Sequence, residues 1–126
     1  MMAERELDLD GWWVATYGEL GGVCLPDEAL TDLPLLLANG TFRLGTDEGR
    51  IVINRHVRPE SLDLIPTHGP HRGRIVPAII HVKGNSLRIC CDLSGASRPG
   101  EFVAPAGTRR FLATYRRITV HHVGTW

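Results

Sequence analysis

A chain of 126 residues has the size of one domain and can bury a hydrophobic core without disulfides or a structural metal. Its 14 basic side chains balance 14 acidic ones, so no overall field recruits nucleic acid or an anionic membrane, and partners of those kinds are not expected. No apolar run approaches the roughly 20 residues of a bilayer-spanning helix, and the stretch Met1 to Asp10 is too charged for a secretory signal, so a cytoplasmic protein is expected.

The hydrophobic pattern is mostly of period two, in short segments punctuated by glycine, proline, asparagine and aspartate, which predicts many short strands joined by tight turns. Trp12 to Leu20 forms a first strand that Gly21-Gly22 ends. Pro26 at a first helical position, followed by Asp27 and Glu28, predicts one short helical turn within Pro26 to Asp32 that covers one end of the structure. Leu35 to Ala38 and Thr41 to Leu44 flank Asn39-Gly40, the pair that best supplies the positive φ values of a type I′ hairpin. A second turn is placed at Asp47 to Gly49, leading into a strand from Arg50 to Val57 that Pro59 terminates.

Ser61 to Ile65 continues the alternation, and a loop from Pro66 to Arg72 returns the chain. Ile75 to Val82 is the longest apolar strand, turned by Gly84-Asn85 into Leu87 to Cys91. Ser94 to Thr108 holds too many breakers for regular structure and is expected as an ordered loop pinned by Phe102 and Val103. Phe111 to Val120 is the last strand. About eight sequentially connected antiparallel strands remove their exposed edges by closing into an up-and-down barrel, a single domain over 1–126 with its core at about 9–120; a two-sheet sandwich is the alternative.

The segment Leu9-Asp10-Gly11-Trp12-Trp13-Val14 is similar to the Gly-x-Trp start of lipocalins, with Gly11 and Trp13 as the matching residues. The later sequence Leu62-Asp63-Leu64, Gly69-Pro70-His71-Arg72-Gly73, Gly84-Asn85-Ser86-Leu87-Arg88-Ile89-Cys90, Arg98-Pro99 and Phe102 resembles a family of small bacterial lipocalin-like domains of uncharacterised function, abundant in planctomycetes. Thirteen arginines against the single Lys83 point in the same direction, to a GC-rich bacterial genome. The resemblance spans roughly Leu9 to Arg117. It implies a calycin-type barrel in which Trp13 packs across the closed end with Arg116 or Arg117 stacked on its indole, a structural pair that a cation–π contact would stabilise. It implies no catalytic residues.

The six histidines, at 56, 68, 71, 81, 121 and 122, lack the spacing of a zinc site, so no metal is expected. His68 and His71 are read as solvated loop residues, and His121-His122 as neighbours pointing opposite ways. Cys24, Cys90 and Cys91 cannot all pair within one chain and are read as reduced thiols. No phosphate-binding glycine loop is present, and no cofactor is expected.

His81, Arg88 and Cys90 fall on one face of a predicted hairpin, while Ile80, Val82, Leu87, Ile89 and Cys91 form its far more apolar opposite face. The apolar set is assigned inward. The polar set, were it to face inward, would offer an acid–base group and an anion holder. The expected ligand-lining residues are Ala15, Tyr17, Ile53, Ala78, Ile80, Leu87, Ile89 and Tyr115, with Trp13 also on the wall, and the weak catalytic candidates are Tyr17, His81, Arg88 and Tyr115. An eight-stranded barrel is either filled by its own side chains or holds one small ligand. The expected guest is a hydrophobic small molecule, bound by a cofactor-free cyclase or isomerase of bacterial specialised metabolism. The alternatives are a non-catalytic carrier or sensor and a protein-interaction module, with homodimerisation compatible with any of them.

Overall fold

The alternation of apolar and polar side chains places one face of each strand in a common interior, and the computed structural model, which describes residues 9–118, closes those strands on one another. In chain order they are β1 (Gly11–Leu20), β2 (Val23–Cys24), the single-turn helix α1 (Asp27–Leu30), β3 (Leu35–Ala38), β4 (Thr41–Leu44), β5 (Asp47–Asn54), β6 (Glu60–His68), β7 (Val76–Lys83), β8 (Ser86–Asp92) and β9 (Arg110–Arg117). All neighbours are antiparallel, and β1 pairs with both β3 and β9, so β1 and β3 to β9 form an eight-stranded closed barrel. Closure leaves no long edge for another chain to extend. The two-residue β2 folds back on the end of β1 through Glu19 and Leu20. Among the described residues no helix is long and apolar enough to cross a membrane.

The Asn39-Gly40 turn has the two positive φ values that a type I′ hairpin requires, 52° and 79°. The next turn differs from the sequence expectation: it lies at Gly45 and Thr46, and Asp47, Glu48 and Gly49 belong to β5. Gly45 supplies the left-handed corner at φ 60°. The Asp47 carboxylate is held by the loop after β6, where it accepts from the backbone N–H of His71 at 2.9 Å and contacts His71 Nδ1 at 2.7 Å. His71 is therefore half-buried, not a solvated loop histidine.

One end of the barrel carries the Asn39-Gly40 and Gly84-Asn85 turns together with Trp13; the other carries α1 and the long connection after β8. At the first end Trp13 is fully buried, and its indole Nε1 donates to the Leu9 carbonyl at 3.0 Å. The Arg117 guanidinium lies 4.4 Å from the indole centre and donates to the carbonyls of Asp10 (2.6 Å) and Gly84 (3.1 Å) and to Asn85 Oδ1 (3.0 Å). Arg117, opposite Trp13 in the ladder, is thus the stacked residue, while Arg116 pairs with Val14 and is exposed on the outer wall. Gly11 leaves room for this latch, since a Cβ there would come within 3.3 Å of Arg117 Cδ. At the other end Leu30 and Leu25 reach over Gly18, where a Cβ would meet them at 3.0 and 3.3 Å.

The connection from Leu93 to Arg109 crosses the outside of β6 to β9 as an ordered strap. Asp92 starts it by accepting from the Ser94 hydroxyl (2.6 Å), the Ser94 N–H (2.9 Å) and the Ser97 N–H (3.1 Å). Arg98 then donates to the Leu62 and Ala78 carbonyls and to Asp63 Oδ1 across the β6/β7 seam, beside Pro77, which has no amide hydrogen of its own. Phe102 anchors the strap through a ring contact with Arg88 at 4.7 Å. The Val103 side chain is exposed, contrary to expectation, and it is the Val103 carbonyl that anchors, accepting from the Cys90 thiol at 3.3 Å.

Candidate functional site

Inward positions can be read strand by strand from the ladder. Tyr115 of β9 stands opposite Ala15 of β1 and Leu87 of β8, and Ile80 and Ile89 stand opposite one another on β7 and β8. Ala78, Ile80, Leu87, Ile89, Cys91 and Tyr115 are all buried in the core cluster, with Ala15 and Ile53 packed against it. Of the eight residues expected to line a ligand, seven lie in or against the core cluster, and four of them, Ile80, Leu87, Ile89 and Tyr115, border the internal void. The apolar face of the β7–β8 hairpin is the inner one, as its hydrophobicity implied.

Tyr17, expected inside, faces outward. The register of β1 shifts between Ala15 and Tyr17, and the extra residue turns Tyr17 to the outer surface, level with Thr114. There its hydroxyl donates to Glu19 Oε2 at 2.5 Å, an interaction that pushes its pKa up to about 12. His81 and Arg88 face each other across the ladder on the outer wall, both exposed. Cys90 shares their face but is buried beneath the strap, and that burial raises its pKa. Three of the four catalytic candidates, Tyr17, His81 and Arg88, therefore have no access to the lumen. Only Tyr115 remains. His121 and His122 lie outside the described residues.

The lumen is narrow. Its internal void measures about 10 Å³ and is lined by Leu9, Leu35, Leu37, Leu44, Leu62, Leu64, Ile80, Leu87, Ile89, Cys91, Phe111 and Tyr115. The lining side chains carry two polar groups, the Cys91 thiol and the Tyr115 hydroxyl, and the surface they present to the void is apolar. Tyr115 is 1 % exposed, and its hydroxyl has no hydrogen-bond partner among the described residues. Burial raises the Tyr115 pKa well above the ordinary value, with a smaller contribution from Cys91, so the phenol stays neutral and a donor. Burial likewise holds Cys91 as an un-ionised thiol.

Beside this void, at the Trp13 end, the rim opens into a cleft of about 460 Å³ lined by Leu9, Asp10, Asn39, Gly40, Ile51, Ile53 and Arg55. Leu9 belongs to both linings and separates the two spaces. The cleft combines an apolar floor, from Leu9, Ile51 and Ile53, with a polar margin in which Arg55 is held by Glu60 at 3.2 Å. Sequence reasoning found Ile53 but missed Leu9, Ile51 and Arg55, because the rim is formed by a residue before β1 meeting the middle of β5, a contact with no local pattern. No group of three or more potential metal ligands occurs among the described residues. No family model, curated protein or solved structure matches this chain.

Proposed function

We propose that the protein binds one small, predominantly hydrophobic molecule at the mouth and in the lumen of its barrel. The observation that supports this most directly is the shared Leu9 wall. It joins a rim cleft within the roughly 300–1,000 Å³ range of small-molecule sites to an apolar interior. A guest enters the lumen by displacing Leu9 and repacking the leucine-rich wall. Its contacts with the lining then replace the dispersion contacts that those side chains make with one another. The likeness to lipocalin-like domains adds the same expectation of a guest inside the barrel.

The cyclase reading rests on shape and on one neutral donor. With Tyr17, His81 and Arg88 outside, the lumen has no base among the described residues, and any rate enhancement would come from holding a flexible guest in a reactive conformer while Tyr115 polarises an oxygen. Carrier or sensor activity needs only the binding. The narrowness of the void favours a second reading, a side-chain-filled barrel that works through its outer surface, where Trp12, Val14 and Ile118 are exposed.

Native mass spectrometry of freshly purified protein, beside a denatured control and an organic extract, separates these readings. A co-purifying apolar compound that is absent from an Ile53→Arg variant supports binding at the mouth. A clean mass with no uptake from a panel of fatty and polyketide-like compounds rejects it and leaves the filled barrel.

A further inference from the structure

Resting on the reading of the barrel as a binding site, we infer that the guest is an uncharged molecule with a ketone-, ester- or lactone-type oxygen, and that this oxygen accepts a hydrogen bond from Tyr115 inside the lumen. The fold leaves one buried hydroxyl, that of Tyr115, without a hydrogen-bond partner among the described residues. Buried hydroxyls are nearly always paired, because an unmade hydrogen bond in an apolar interior is costly. Tyr115 stands on the inner face of β9 and shares the lining of the void with Leu37, Leu62, Leu64, Leu87 and Ile89; its Oη is the one buried side-chain nitrogen or oxygen without a partner among the described residues. The strands around it have already committed their backbone groups to the ladders that close the barrel, so the protein offers the phenol nothing to bond.

Water is a poor substitute. The void of about 10 Å³ is at the lower limit for a single water, and buried waters typically make about three hydrogen bonds. Here the lining side chains carry one oxygen, Tyr115 Oη, which is packed over and has no surface open to the void, and a weakly bonding thiol, Cys91, so a water there finds no set of partners until the wall repacks. A guest that enters with an acceptor attached to an apolar body brings the missing partner without needing the remaining ones. The charge state of the guest follows from the same walls. No cation is among the residues lining the void, and the two guanidiniums at that end of the barrel are already engaged, Arg117 by backbone carbonyls and Trp13 and Arg55, on the cleft margin, by Glu60. A carboxylate drawn to Tyr115 would be desolvated without a counter-charge, whereas a carbonyl oxygen requires one donor only. A pure hydrocarbon would leave the phenol as unsatisfied as before.

The test uses two probes of nearly the same shape, 2-octanone and 2-methyl-1-octene, in which a methylene replaces the oxygen. Each is titrated into the full chain and into Tyr115→Phe. Tyr115→Phe is expected to weaken 2-octanone roughly tenfold, the effect of one net hydrogen bond of about 1.4 kcal/mol, and to change 2-methyl-1-octene by less than about twofold. Equal changes for the two probes overturn the inference and leave lumen binding intact. If neither probe binds the unmodified chain, the binding reading itself falls and takes the inference with it. The carbonyl stretch of bound 2-octanone gives an answer without any variant: a shift to lower frequency than in hexane supports the bond to Tyr115, and an unshifted band overturns it.

Discussion

Removing the Tyr115 hydroxyl should make the guest-free protein more stable. On folding, this group leaves water for a site with no hydrogen-bond partner among the described residues, at a cost of about 1–3 kcal/mol. Phenylalanine keeps the ring and its packing against Leu87 and Ala15 while removing that cost. Tyr115→Phe is therefore expected to raise the unfolding free energy by at least about 1 kcal/mol, and the melting temperature by about 4 °C per kcal/mol for a domain of this length. The assay is equilibrium urea denaturation at pH 7 on protein stripped of bound material by refolding from organic-extracted, denatured stock. Alkaline pH adds a second readout. The Tyr115 pKa is raised in the folded state, so its contribution to stability is complete below the unfolded value near 10 and is lost as pH rises above it, at about 1.4 kcal/mol per pH unit. Tyr115→Phe should flatten that decline by one proton's worth. A variant that instead loses 1 kcal/mol or more at pH 7 would show the hydroxyl to be satisfied in the guest-free state and would refute the reasoning.

Other substitutions probe the framework. Arg117→Lys keeps the charge but cannot stack on Trp13 while reaching Asp10, Gly84 and Asn85 together; a loss of about 2 kcal/mol in chemical denaturation is expected, and a loss below about 0.5 would deny the latch. Burial works to raise the Asp92 pKa but is outweighed by hydrogen bonds from the Ser94 hydroxyl and amide and the Ser97 amide, with Arg110 adding to them, so the carboxyl lies below its ordinary value. Its stabilisation is thus present above the unfolded carboxylate pKa near 3.9 and lost as pH falls through the lower folded value; Asp92→Asn should cost about 1–2 kcal/mol at pH 7 and reduce the acid-side decline, as read by denaturation at pH 2 to 7. Cys24 is exposed whereas Cys90 and Cys91 are buried, so a thiol reagent should modify one cysteine rapidly in the native protein and all three only in denaturant. A second fast thiol would mean that the strap opens over Cys90.

The barrel was legible in the sequence because its information is local and repeated. Alternation in Ile80, Val82, Leu87, Ile89 and Cys91 was enough to identify the inner face, and Asn39-Gly40 was enough to place a hairpin. The register after Leu44 was misjudged because Asp47, Glu48 and Gly49 have turn composition, while the turn itself needed only Gly45 and Thr46. Asp47 pairs with Leu44 in the ladder, and its carboxylate is held by His71, 24 residues away, a contact that no local pattern encodes. Tyr17 was misplaced for a related reason. Counting by two from Trp13 puts residue 17 inside, and a single bulge reverses that parity for every residue beyond it.

The strap shows why an exterior feature was harder to infer than an interior one. Its composition announced a loop, and loops are held by individual hydrogen bonds instead of by a periodic face. Arg98 makes three such bonds to partners 20 to 36 residues distant, and Asp92 makes its own within five residues. The consequence reaches the outer wall. Cys90 and Ile79 stand opposite each other on the outer face of β8 and β7, yet both are buried, because the strap lies over them. Barrel alternation alone would have exposed them. A thiol buried on the outer face is thus the most direct reporter of whether the strap stays closed, and the interior void can then be studied through Tyr115 as a separate question.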